Sequence, residues 1–353
     1  MSKHNVIPAI YFLICILLLA GCEKDKITAP FDVKLDTSAE FLLYLEEAGD
    51  IINNSVPPVI QALEVYNNMP DYLIIDLRDS LNFISGHIQG SKNIGKDSLF
   101  SYVQGNYSRF SKVILISASG QTAAYYSSLL HLAGFNNIYY MNYGMASWNV
   151  LFTSVWMDRL YTYNNPSFFS YTSYSKREYT PLPVINLKTP GESMQDLLKD
   201  RVDGLIRAGF DEDYSSVYSQ TAMTFNYWLH ISPNQYTICT GPIILYSSNP
   251  YVTNTYHLIG SVFYQVFPDP SDFRSTSYLQ TVPSDSSVAV YSATGQESAF
   301  YTAYLRLLGY DARSILFGVN NIDYSMLFRA SELIPFAFKE SYIMNFPYVT
   351  GTN

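Results

Sequence analysis

Two stretches of this chain are near copies of each other. Residues 112–134 read KVILISASGQTAAYYSSLLHLAG, and residues 288–309 read VAVYSATGQESAFYTAYLRLLG. Ser117, Gly120 and Gly134 correspond to Ser292, Gly295 and Gly309, a constant offset of 175 positions. Each copy has an apolar run suited to a buried strand, a loop of small polar residues, and then an apolar pattern at helical spacing. In the first copy the strand is expected over 113–116, the loop over 117–121 and the helix over 122–132. A strand that turns through a glycine loop into a helix aims backbone N–H groups and the positive end of the helix dipole at one spot. The repeat therefore requires two similar strand–loop–helix units, each with a corner suited to an anion.

The residues around the first copy extend the pattern. The Thr37 to Glu40 spacing is a capping-box signature and opens a helix that ends before Pro57 and Pro58. Residues 59–66 read as a short strand and helix. The run YLIIDL over 72–77 suits a central parallel strand covered on both faces. Residues 138–141 give another strand, and Gly144 to Trp148 a last turn and helix. Alternation of strands and helices predicts an α/β fold with an open, mainly parallel sheet flanked by helices, and ligands at the carboxyl ends of its strands. Both halves of the chain are expected to have it. A hydrophobic share of 48% is ample for two such cores, and a net charge of −9 argues against nucleic-acid binding.

The N-terminus reads as a processing signal. Lys3 precedes an apolar run from Val6 to Ala20 that is short for a membrane span. Leu19-Ala20-Gly21-Cys22 then resembles the lipobox of bacterial lipoproteins. That resemblance implies a signal peptide over 1–22, lipidation of Cys22 and a membrane anchor that does not span the bilayer. Residues 23–36 read as a tether. Glu23 favours outer-membrane sorting, so the expected place is the envelope of a Gram-negative bacterium. Of three cysteines, Cys15 would leave with the signal and Cys22 would carry lipid. Cys239 would be the one free thiol of the mature chain, which leaves no intramolecular disulfide and no cysteine-based zinc site. No metal and no cofactor are expected.

Three motifs in order resemble the rhodanese-like family over 37–150. IIDLRDSLNFISGHIQGSKNI looks like its first signature, VILISASGQTAA its active loop, and GFNNIYYMNYGMASW its closing segment. The second half resembles the family less closely. Residues 243–261 are aligned with 73–91, so that His257 and Gly260 answer His87 and Gly90, while Tyr246 and Ser248 replace Asp76 and Arg78. A degenerate second module is then expected over 216–345. The connector, 151–215, has an aromatic-rich part and an amphipathic helix over 193–208 with Leu197, Leu198, Val202 and Leu205 on one face. Its aromatics read as packing between the modules, or as a surface for sugar or a partner protein.

The resemblance implies a Cys-x-x-Gly-x-Arg loop, in which the Cys carries sulfur as a persulfide and the Arg helps to bind an anionic donor. Here the Cys positions hold Ser117 and Ser292, and the Arg positions hold Thr122 and Glu297. A serine hydroxyl is un-ionised at neutral pH, and neither loop offers a base. No catalytic residue is therefore expected. The N–H cradle of Ser117, Ala118, Ser119, Gly120, Gln121 and Thr122 remains a candidate for a small anion, whereas Glu297 would repel one. His87 reads as a packing element, Asp76 with Arg78 as a buried ion pair, and Cys239 as a packed residue. The leading expectation is a lipid-anchored tandem rhodanese-like protein without sulfurtransferase activity, serving as a binding or scaffold module toward an envelope protein or a small anion. Residual thiosulfate or persulfide sulfurtransferase activity, and capture of glycans or nutrients at the surface, are the alternatives.

Overall fold

Apolar runs flanked by polar loops become the strands of two sheets. The computed structural model describes residues 36–163, 165–213, 218–231, 235–246, 256–266 and 271–352. The expected signal, Cys22 and all of the tether except Asp36 lie outside the described residues. In the first half, β1 (Val59–Ile60), β2 (Tyr72–Asp76), β3 (Lys92–Asn93), β4 (Lys112–Ile116) and β5 (Ile138–Met141) form a parallel sheet in the order β1-β5-β4-β2-β3. A short antiparallel ribbon pairs β6 (Phe169–Ser170) with β9 (His257–Leu258). The second half contributes β7 (Ala222–Met223), β8 (Tyr236–Cys239), β10 (Val262–Phe263), β11 (Val288–Tyr291) and β12 (Ala312–Ile315). These form a parallel sheet in the order β10-β8-β11-β12-β7, the same order as the first when read from its other edge. The predicted architecture is thus present twice.

One expected strand is elsewhere. Residues Ile243–Tyr246 form a 3-10 turn, and the strand beside β11 is Tyr236–Cys239. Pro242 lacks the N–H that a central strand must donate, so it ends the ladder. The register then corrects the alignment. Cys239 pairs with Tyr291 as Asp76 pairs with Ile116, each one residue before the loop serine. Cys239, not Tyr246, is therefore the counterpart of Asp76. Eleven positions separate Asp76 from His87, but eighteen separate Cys239 from His257, and that longer link misled the alignment. Ser248, the proposed replacement for Arg78, lies outside the described residues.

Helix α1 (Thr37–Glu47) is capped by Asp36, whose carboxylate accepts from Ala39 N at 2.8 Å, so Thr37 is the first helical residue and not the cap. Helices α2 (Gln121–Leu132) and α4 (Gln296–Leu307) follow the two loops and pack along each other. Nearly every residue of both is buried, as expected for helices covered on all sides. One continuous apolar core runs from the first sheet through these helices to the second. Helix α3 (Met194–Ala208), capped by Ser193, buries Leu197, Leu198, Val202 and Ile206, whereas Leu205 is only half-buried.

The connector's Trp156 is fully buried against Tyr143, Phe317 and Phe338, rings from both halves. Tyr161, Tyr171 and Tyr179 are exposed. The chain's end returns to the first half. Phe346 N donates to Trp148 O at 2.9 Å, its ring stacks on Tyr66 at 4.1 Å, and His87 and Val349 exchange backbone bonds.

Candidate functional site

The first loop leaves β4 at Ile116 and enters α2 through Gly120, whose φ of 87° is open to glycine at little cost. Ser117 Oγ accepts from Gly120 N at 3.0 Å and from Ala123 N at 3.4 Å, and this closes the turn. Ser119 Oγ accepts from Gln121 N and from Gln121 Nε2. The remaining donors converge on one group, the carboxylate of Glu212. Its Oε1 accepts from Ala118 N at 2.8 Å and Ser119 N at 3.4 Å. Its Oε2 accepts from Ser119 Oγ at 2.7 Å, Ser117 Oγ at 3.0 Å and Thr122 N at 3.1 Å. An acid of the chain itself thus accepts from Ser117, Ala118, Ser119 and Thr122, while the Gly120 and Gln121 N–H groups serve the loop's own serines. Charge-assisted bonds from a helix N-terminus are among the stronger polar contacts a protein makes.

Glu212 reaches the loop because the chain beyond α3 is pinned on both sides of Gly209. Phe210 is buried and packs on the ring of Tyr125, while Thr122 Oγ1 donates to Phe210 O. Lys96 Nζ donates to Ala208 O and Thr221 Oγ1 to Gly209 O. The cradle opens on a cleft of about 880 Å³ bordered by Arg78, Lys96, Arg159 and Asp211. Sequence reasoning missed Glu212. It lies in an acidic run, Asp211 to Asp213, which reads as solvated surface, and nothing local ties it to a loop 90 to 95 positions away.

The second loop is built alike but closed. Ser292 Oγ accepts from Gly295 N and Ser298 N and donates to Ser298 Oγ, which meets Ser314 Oγ at 2.8 Å. Ser292 is fully buried, as is Leu245 nearby. Glu297 Oε2 is buried and has no hydrogen-bond partner among the described residues. Burial raises its carboxyl to about 7, and its charge would act on the phenols of Tyr140, Tyr143 and Tyr301. The two loops are tied to each other by reciprocal glutamines. Gln121 Oε1 accepts from Phe317 N at 2.8 Å, and Gln296 Oε1 accepts from Tyr143 N at 2.9 Å. Both donors sit at positive φ, which turns their N–H groups toward the opposite module.

The other singled-out residues are structural in their contacts. Arg78 holds Asp76 by a bidentate pair, with N–O contacts of 2.6 and 3.0 Å, and also donates to Gly86 O. His87 is buried, stacks on Phe83, and its Nδ1 lies 2.8 Å from Phe83 O. Cys239 is fully buried at the end of β8, and burial pushes its thiol up to about 11. A thiol so placed holds little thiolate at neutral pH. Alkylation of Cys239 in the native chain at pH 8, followed by peptide mapping, is expected to run about 100-fold or more slower than in the denatured chain. Fast native labelling would instead make Cys239 a candidate sulfur carrier.

Residues 61–150 match the family model of the rhodanese-like domain. A curated relative, the thiosulfate sulfurtransferase GlpE of Pseudomonas fluorescens (strain Pf0-1), is 28% identical over 82 residues, 23% of this chain and 74% of that protein. Among solved structures, a rhodanese-related protein from Thermoplasma volcanium is 28% identical, covering 26% of this chain and 89% of its own, with a TM-score of 0.22. A thiosulfate sulfurtransferase from Pseudomonas aeruginosa is 15% identical, covering 79% of this chain and 45% of its own, with a TM-score of 0.26.

Proposed function

We propose that this is a membrane-anchored tandem rhodanese-like protein without sulfurtransferase activity, acting as a binding or scaffold module of the cell envelope. One observation carries the reading: the Glu212 carboxylate sits on the donors of the first loop. An anionic sulfur donor would need those same donors, and Glu212 places a like charge in its path. Ser117 at the expected Cys position has no persulfide equivalent, and Thr122 at the expected Arg position has no charge. Ser292 and Glu297 repeat both losses in the second loop. The anchor is supported by Leu19-Ala20-Gly21-Cys22, and Glu23 favours the outer membrane. Among the described residues, no helix is long and apolar enough to cross a membrane.

The test is sulfur transfer from thiosulfate to cyanide by the full chain. It is run beside Ser117→Cys with Thr122→Arg, and beside that pair combined with Glu212→Ala. Wild type and the double variant are expected to stay at background, because Glu212 still fills the cradle. The triple variant is expected to gain on the order of tenfold or more, since it restores a nucleophile, a cation and an open cradle. Turnover by the wild type would overturn the reading and favour the residual enzyme.

A further inference from the structure

We propose that the first loop is a carboxylate receptor which the protein keeps closed with its own Glu212, and that it accepts a small free carboxylate when Glu212 is absent. The proposal rests on the reading of residues 117–122 as a disarmed cradle and names the ligand class of that site. The donors fall into two groups that match two oxygens of one planar anion. Two backbone N–H groups, from Ala118 and Ser119, serve Oε1. Two hydroxyls, from Ser117 and Ser119, and the Thr122 N–H serve Oε2. Among the described residues, no carboxylate other than Glu212 accepts from these donors.

The donors are held without Glu212. Ser117 Oγ is positioned by Gly120 N and Ala123 N, and Ser119 Oγ by the Gln121 side chain. Gln121 is in turn held by Phe317 N of the other half, and Trp156 Nε1 donates to Ser119 O. Removing the Glu212 side chain should therefore leave a formed pocket open to the cleft, with five donors and no acceptor. Water would meet those donors in the open cleft, and an anion of the right shape would replace it with charge-assisted bonds. All five donors are neutral, three backbone N–H groups and two hydroxyls, so the site would serve a carboxylate without a loop cation.

The experiment is thermal unfolding of the full chain and of Glu212→Ala in sodium formate, with sodium chloride at matched ionic strength and sodium sulfate as comparators. Wild type is expected to respond to formate as it does to chloride. Glu212→Ala is expected to gain a saturable rise in Tm of about 2 °C at formate ten times its Kd. Adding Ser119→Ala should remove most of that gain. If Glu212→Ala does not accumulate as a folded chain, Glu212→Ser, which also empties the cradle, takes its place, with the amide signals of Ala118 and Thr122 followed by NMR during formate titration. A folded variant that formate neither stabilises nor shifts beyond chloride overturns the proposal, as does a sulfate response, taken in excess of the wild type's own, that exceeds the formate response taken the same way. The readout is binding and not turnover, so failure here leaves the sulfur-transfer result standing.

Discussion

Gly144→Ala is expected to cost more than about 4 kcal/mol and to leave little folded protein, because it combines backbone strain with a clash that nothing can relieve. Gly144 follows β5 at φ 58° and ψ −149°, a region that residues with a Cβ essentially avoid. A Cβ there would lie 2.3 Å from Ser117 O, 2.6 Å from Gly120 N and 2.7 Å from Ala118 O. All three are backbone atoms of the cradle, so no side-chain rotation makes room. Gly318 repeats the arrangement against the second loop, with a Cβ only 2.1 Å from Ser292 O. The control is Gly134→Ala. Gly134 has φ 95° but nothing within 4 Å of its Cβ position, so alanine there should cost only about 1–2 kcal/mol. Urea unfolding separates the two effects. A Gly144→Ala chain about as stable as Gly134→Ala would refute the claim that this glycine exists to let the closing turn press against the loop.

Glu297→Gln is expected to stabilise the protein on the order of 2 kcal/mol at pH 8 and to have little effect at pH 4. Burial raises the Glu297 carboxyl from an ordinary 4.5 to about 7, and its Oε2 has no hydrogen-bond partner among the described residues. The sign follows from proton binding. Between those two values the folded chain holds a proton that the unfolded chain has released. Stability from this group is therefore full below about pH 4.5 and is lost as pH rises through about 7. A neutral amide of the same shape escapes that loss. Urea midpoints of wild type and variant at pH 4, 6 and 8 should diverge upward in pH. Parallel curves would mean that Glu297 stays ionised and solvated in the folded chain.

The sheets and the first loop were legible in the sequence because their causes are local. A strand buried on both faces must be apolar throughout, as β2 and β4 are. A sharp entry into a helix calls for glycine at positive φ, as at Gly120 and Gly295. The repeat itself carried the duplicated topology. Residues 243–246 were misread as a strand because apolar content alone does not say whether a ladder has a free N–H on each side. Pro242 does say so, and pairing with β11 went to Tyr236–Cys239 instead.

The α/β pattern, the serine in each loop and the absence of the loop cation were readable from the residues themselves. Those depend on residue type and short spacing. The occupant of the cradle, by contrast, is set by contacts between residues far apart in the chain. Glu212 meets Ser117 across 95 positions of chain, and its arrival depends on where α3 ends and how Phe210 is pinned. Glu297 likewise carries the same side chain in either description. Its surroundings, assembled from both halves, raise to about 7 a carboxyl that the sequence reading expects to repel an anion.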